Sequence, residues 1–171
     1  MRRYLATLLL ALTTLITFGY RRVFLVLTQS CPIGIYLSSD AEIERGSYVA
    51  LCLTDELSEL ALERGYVRPG VLCGRKHAAL IKPIRALPGD VVEVSEAGVT
   101  VNGVLLEHSA TSPTDRQGRS LQHVGFGRYV VGPGEFWAVS SYNSGSWDSR
   151  YFGPIKCEQV LTVIVPWWVY G

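Results

Sequence analysis

Beyond residue 22 the chain is for the most part a succession of short apolar runs, each cut off by glycine or proline. A sequence broken at that interval builds strands far more readily than long helices. Strands are expected at 34–37, 48–53, 79–87, 91–94, 99–106, 128–131, 136–140 and 158–165. The clearest is a hairpin: in Val99-Thr100-Val101-Asn102-Gly103-Val104-Leu105 the Asn-Gly pair supplies the positive φ values that a two-residue turn requires. One helix is expected at 55–64, with Thr54 as its cap, Asp55 and Glu56 in its first turn, Leu57, Leu60 and Ala61 as its buried stripe and Gly65 as its stop. Residues 109–122, with Pro113, Gly118 and mixed charge, read as a surface loop without functional content. The expected fold is therefore mainly β, a twisted antiparallel sheet or barrel carrying one short helix.

A segment of another kind precedes it. Met1-Arg2-Arg3 opens an apolar run over residues 4–20 that closes on Arg21-Arg22, the pattern of a signal or anchor, and a hydrophobic helix is expected there. As a helix this run spans about 25 Å, slightly short of a ~30 Å hydrocarbon core. Thr17-Phe18-Gly19-Tyr20 puts bulky residues where a cleavage site needs small ones, which favours an uncleaved anchor over a cleaved signal. Arginines on both flanks leave its orientation open. The chain thus divides into a membrane segment, 1–22, and one exported domain, 23–171, long enough for a single core. The last apolar stretch, 163–170, carries Trp167, Trp168 and Tyr170, and fits either an interfacial patch at the headgroup level or a last strand packed on the sheet.

The formal charge of +1 leaves no basic excess, and no stretch after Arg22 interleaves clustered Lys and Arg with aromatics, which argues against a nucleic-acid partner. The four cysteines, Cys31, Cys52, Cys73 and Cys157, are an even number in a chain that looks exported, so disulfides are expected. Cys52 with Cys73 is the favoured pair, flanking the helix and its following loop; closing a loop of about twenty residues contributes on the order of 3 kcal/mol in the chain-entropy model.

Three separated stretches carry candidate chemistry. Ser30 lies in Thr28-Gln29-Ser30-Cys31-Pro32, shortly after the apolar segment. A serine hydroxyl is a weak nucleophile until a neighbouring base takes its proton. A lysine can be that base only when neutral, and bringing it from about 10.4 to near 7 takes roughly 4 kcal/mol of differential destabilisation of the ammonium form. Of the three lysines, Lys76 sits in a polar turn and Lys156 follows Gly153-Pro154-Ile155. Lys82 alone lies in an apolar stretch, where alternation turns it inward. Thr28 and the Ser30 backbone N–H are a candidate oxyanion pair, facing one side if the segment is extended. In Ser146-Trp147-Asp148-Ser149-Arg150-Tyr151, Ser146 is placed to orient the lysine amine, and Asp148 either to hold Ser146 or to pair with Arg150. Cys31 is a rival nucleophile with no histidine beside it. His77, His108 and His123 read as surface residues in polar settings without metal spacing, there is no Gly-x-Ser-x-Gly elbow, and neither metal nor cofactor is expected.

Together these stretches resemble the boxes of the type I signal peptidase family, and more narrowly its conjugative-transfer, TraF-type propilin peptidase branch. Thr28-x-Ser30-x-Pro32-x-Gly34-Ile35-Tyr36 is similar to the branch's nucleophile box, Lys82 through Leu87-Pro88-Gly89-Asp90 to its lysine box, and Ser146-x-Asp148-Ser149-Arg150-Tyr151-x-Gly153 to its last box. The chain departs from the pattern where Pro83 follows Lys82 and where Ser140-Ser141-Tyr142 replaces the Gly-Asp-Asn that commonly opens the last box. The resemblance implies a signal-peptidase-type β fold with Ser30 as nucleophile, Lys82 as general base, Thr28 at the oxyanion, and Ser146, Asp148 and Arg150 in support. It further implies a serine endopeptidase at the periplasmic face of the inner membrane that processes, and in some members cyclises, an exported pilin precursor. A general signal peptidase shares these residues, a self-cleaving repressor-type protein shares the dyad but calls for a DNA-binding N-terminal domain, and a non-catalytic pilus-assembly scaffold would keep its function in Ser30→Ala. An extended substrate is expected along an open strand edge.

Overall fold

The computed structural model describes residues 23–170, together with residues 4, 6, 7, 9, 10 and 12–15, which are helical. The expectation for segment 1–22 falls largely outside the described residues, and among these no helix is long and apolar enough to cross a membrane. The ordered elements are β1 (Val23–Val26), β2 (Ile33–Ser39), β3 (Tyr48–Leu51), α1 (Asp55–Glu63), β4 (Pro69–Cys73), β5 (Leu80–Ala86), β6 (Val91–Ser95), β7 (Gly98–Val101), β8 (Val104–Leu105), β9 (Gly127–Val130), β10 (Glu135–Ala138), α2 (Ser149–Phe152), β11 (Ile155–Lys156), a 3-10 turn (Cys157–Gln159) and β12 (Val160–Tyr170).

Two antiparallel sheets result, a seven-stranded one in the order β1-β2-β12-β3-β5-β10-β11 and a four-stranded one in the order β8-β7-β6-β9. The mainly β expectation is met. The period of two decides which side chains reach the core: along β1 only Phe24 and Val26 are buried, and along β6 only Val92 and Val94. Phe24, Val26, Tyr36, Ala50 and Ile164 form one apolar cluster, while Val49, Leu51, Leu80, Ile84 and Val163 pack in another beneath α1. The four-stranded sheet closes over Ala86, Trp137 and Val139. Asn102 and Gly103 join β7 to β8 with φ of 50° and 82°, the mirror-image turn that the dipeptide favours.

Several expectations need correction. β1, β4 and β11 are too short or too interrupted to stand out by alternation, and β4 in particular is bounded by Pro69, Gly70 and Gly74. A second helix, α2, occupies a single turn after Asp148. Thr54 stands at the N-cap of α1, but its side chain makes no capping hydrogen bond. The face of α1 that goes inward holds Ser58 and Ala61 fully, with Leu57 and Leu60 packed against the core at its margin. His77 is buried, with Nδ1 2.7 Å from the Ala78 carbonyl oxygen, and is no surface residue. Cys52 and Cys73 form the expected disulfide, which ties β4 to the end of β3, while Cys31 and Cys157 are free thiols.

The C-terminal stretch is the last strand, β12, which pairs with β3 from Val160 to Ile164 and with β2 from Val163 to Tyr170. It bulges between Pro166 and Trp168, where proline has no N–H to give to the ladder. On the outer face the rows Val23–Leu37–Val165 and Leu25–Ile35–Trp168 run straight across β1, β2 and β12. Trp167, Trp168 and Tyr170 are 68%, 63% and 78% exposed, so this strand packs on the sheet and still presents an aromatic surface.

Candidate active site

Ser30 lies in the turn between β1 and β2, not in an extended segment. The turn is held from two sides: the Tyr36 hydroxyl donates to the Pro32 carbonyl at 2.8 Å and the Ser140 hydroxyl donates to the Ser30 carbonyl at 2.7 Å. Lys82 stands in β5 opposite Val49 of β3, and shares its face with Leu80 and Ile84 because residues two apart point the same way. Its amine is therefore delivered into an apolar interior at 2% exposure. Ser146 comes from the loop between β10 and α2 and is buried as well.

The three meet. Lys82 Nζ lies 2.6 Å from Ser30 Oγ and 2.6 Å from Ser146 Oγ, and the two hydroxyl oxygens are 3.1 Å apart. Among the described residues no carboxylate hydrogen-bonds this amine; its partners are hydroxyls. Burial accordingly pushes the Lys82 pKa down to about 8, opposed chiefly by the charge of Asp148 and reinforced by those of Arg150 and Arg116. An amine that releases its proton near neutrality, in contact with a serine hydroxyl, can act as a general base toward it.

Asp148 and Arg150 form the other half of the site. Of the two roles open to Asp148, the pairing with Arg150 is the one observed: Nε donates to Oδ1 at 2.8 Å and Nη2 to Oδ2 at 2.9 Å, a fork geometry with both side chains fully buried. Burial presses the guanidinium to discharge, but the Asp148 carboxylate outweighs it and the Arg150 pKa is raised. Arg150 spends its remaining donors on carbonyls, Nη2 on Ser146 at 2.8 Å and Nη1 on Ala110 at 2.9 Å, with Ser144 and His108 each at 3.2 Å. The loop 109–122, read as functionally empty, thus supplies an acceptor to the frame behind Ser146, and its Arg116 charge reaches Lys82.

Thr28 is exposed at a bend, two residues from Ser30 but not aligned with it as an extended pair would be. Among the described residues its hydroxyl has no hydrogen-bond partner. Cys31 is buried, and burial pushes its thiol up to about 11, which leaves little thiolate and removes it as a rival nucleophile.

Sequence reasoning missed Ser140. It is fully buried, its hydroxyl holds the Ser30 carbonyl, and its backbone N–H donates to Asp148 Oδ2 at 3.0 Å. The signal for it was the replacement of glycine by a hydroxyl-bearing residue at the opening of the last box.

A serine and a neutralisable lysine joined through a second serine, on antiparallel sheets, define the class, and the comparison of sequences agrees: the chain matches the family "Signal peptidase, peptidase S26" over residues 4–168 and belongs to that family. Within it the chain is similar to conjugation proteins. It is 39% identical over 140 residues to the plasmid transfer protein TraF of Escherichia coli, covering 81% of this chain and 78% of that one. It is 36% identical over 151 residues to the conjugal transfer protein TraF of Agrobacterium fabrum strain C58, covering 86% and 81%. Among solved structures it is similar to a signal peptidase I from Enterococcus faecalis V583, with a TM-score of 0.41 and 19% identity, covering 74% of this chain and all of that one.

Proposed function

We propose that this chain is a membrane-apposed serine endopeptidase with a Ser30–Lys82 dyad, which processes an exported pilin precursor for conjugative transfer. The observation that carries the reading is the buried triangle of Lys82, Ser30 and Ser146, in which a lysine has hydroxyl partners and no carboxylate hydrogen-bonded to it. The conjugative role rests on the similarity to proteins named for plasmid and conjugal transfer.

Ser30 Oγ attacks the scissile carbonyl carbon while its proton passes to Lys82 Nζ, 2.6 Å away. Ser146 accepts from the amine and keeps its lone pair on Ser30. The Ser30 backbone N–H and the exposed Thr28 hydroxyl donate to the oxyanion. The Lys82 ammonium then returns the proton to the departing amine as the carbon–nitrogen bond breaks, leaving an ester on Ser30. Water releases the acid, or the precursor's own amino terminus attacks the ester and closes a ring. On the β10 side of β5 the backbone bonding ends with the Val139 N–H on the Pro83 carbonyl at 3.2 Å, and the Leu80–Lys82 end pairs with no described strand there, an edge to which an extended substrate adds as a strand.

The outer face of β1, β2 and β12 supports the membrane setting. Its apolar rows end at Val165 and Trp168, Trp167 and Tyr170 are exposed on the same strand, tryptophan and tyrosine are the residue types that settle at headgroup level, and Ser30 lies in the turn after β1. The reading places the domain at the periplasmic face of the inner membrane.

The test is mass spectrometry of the co-encoded pilin precursor in cells carrying wild type, Ser30→Ala or Lys82→Ala. Unprocessed precursor in both variants, with both chains accumulating, is the expected outcome, and a wild-type product lighter by one further water marks cyclisation. Normal processing in both variants rejects the dyad and leaves the scaffold reading.

A further inference from the structure

The nucleophile turn has an anchor that the dyad chemistry does not use. Ser140 follows β10 and is fully buried. Its side-chain hydroxyl donates to the Ser30 carbonyl at 2.7 Å, and its backbone N–H donates to Asp148 Oδ2 at 3.0 Å. Asp148 in turn is forked by Arg150, whose Nη2 donates to the Ser146 carbonyl. A single chain of hydrogen bonds therefore runs from the frame that holds Ser146 to the carbonyl of the nucleophile itself. The opposite end of the turn is held by the Tyr36 hydroxyl on the Pro32 carbonyl. Residues 30 and 32, which bracket the end of the turn, are thus each held by a hydroxyl from outside it.

We propose that Ser140 is a positioning residue: its hydroxyl sets the Ser30 peptide unit, and through it Asp148 and Arg150 act on the nucleophile without contacting Ser30 Oγ or Lys82 Nζ. The inference rests on the peptidase reading. Two features support a directional role over mere filling of space. The Ser140 hydroxyl donates to the carbonyl of the nucleophile residue itself, while it accepts from the Tyr142 N–H at 3.3 Å. Asp148, which the sequence places in the catalytic set, hydrogen-bonds Ser140 and Arg150 and neither member of the dyad. A reacting group displaced by a fraction of an ångström to an ångström loses on the order of tenfold to a hundredfold in rate.

The experiment uses the full chain solubilised in detergent, with the co-encoded pilin precursor as substrate, and compares wild type, Ser30→Ala, Ser140→Ala and Ser140→Thr by kcat, KM, pH profile and thermal unfolding. Ser140→Ala is expected to lower kcat by about tenfold or more while KM stays within about twofold and the acid-side midpoint of the profile does not move, since the surroundings of Lys82 are unchanged. Ser140→Thr, which restores the hydroxyl, is expected to return kcat to within about threefold of wild type. A wild-type kcat in Ser140→Ala overturns the inference. So does a Ser140→Thr variant as slow as Ser140→Ala at equal thermal stability, and so does a shifted pH midpoint, which would route the effect through Lys82. Precursor cleavage by Ser30→Ala, or none by wild type, is a different result: it removes the peptidase reading and the inference with it.

Discussion

Two cations are buried on either side of Ser146, and the protein treats them in opposite ways. Arg150 donates to the Ser146 carbonyl and Lys82 contacts the Ser146 hydroxyl, so a single residue touches both. Arg150 is matched by a buried carboxylate in fork geometry and by a set of carbonyls, and it keeps its charge. Among the described residues Lys82 has hydroxyls alone as hydrogen-bond partners, and burial lowers its pKa to about 8. The side chains suit the tasks: a guanidinium stays charged in any setting and has five donors to fix a loop, whereas an ammonium is a point charge that desolvation readily discharges. Burial with a carboxylate bonded to the cation makes a frame; burial with hydroxyls bonded to it makes a base.

Substitutions at the two cations should therefore separate activity from stability. Lys82→Met is expected to remove activity by about 10⁴-fold or more, as loss of one member of a concerted catalytic unit does, while leaving unfolding free energy unchanged or raised. Precursor turnover beside urea unfolding checks both. Asp148→Ala is expected to strand the Arg150 charge and cost about 3 to 5 kcal/mol, read from the same unfolding curves; a loss below about 1 kcal/mol would place the pair outside the frame.

A third expectation concerns pH. The folded pKa of Lys82, about 8, lies below its ordinary value of 10.5. Between those values the unfolded chain holds a proton that the folded chain has released, so stability rises with pH across the window. The rise is about 3 kcal/mol relative to Lys82→Met, and all of this contribution is absent below about pH 8, where both states are protonated. Denaturation curves of the two chains from pH 7 to 10.5 measure it. The smallest effect is expected at the residue between the cations: Ser146→Ala should lower kcat by about 10- to 100-fold, through loss of the hydroxyl that orients the amine, with little change in KM.

The contrast between the cations also shows what the sequence can reveal. Lys82 was legible because an inward lysine needs only a local pattern, an apolar strand with a period of two, and the hairpin at Asn102-Gly103 was legible because a dipeptide encodes it. Ser30 and Ser146 lie 116 residues apart, and their meeting was readable only through the likeness of whole boxes to a family. Ser140 escaped because its role depends on a partner 110 residues away that no periodicity announces, and because it stands where the family pattern is broken. The loop 109–122 was misjudged for a related reason: its composition is polar, but its contribution to the frame is a backbone carbonyl, at Ala110, which carries no signature of residue type. Thr28 was placed in an extended pair with Ser30 because a turn of so few residues looks the same in sequence as the end of a strand.

The claim on which the rest depends is that burial makes the Lys82 amine give up its proton far more readily than a solvated lysine does. The chain has only three lysines, Lys76, Lys82 and Lys156, so a side-chain NMR titration of lysine-labelled full-length protein, with Lys82→Met to assign the resonance, reads it directly. A midpoint near 8 is the expected result. A midpoint at or above about 10.4, the value of a solvated lysine, would mean that the amine is protonated when Ser30 needs a base, and would contradict the account.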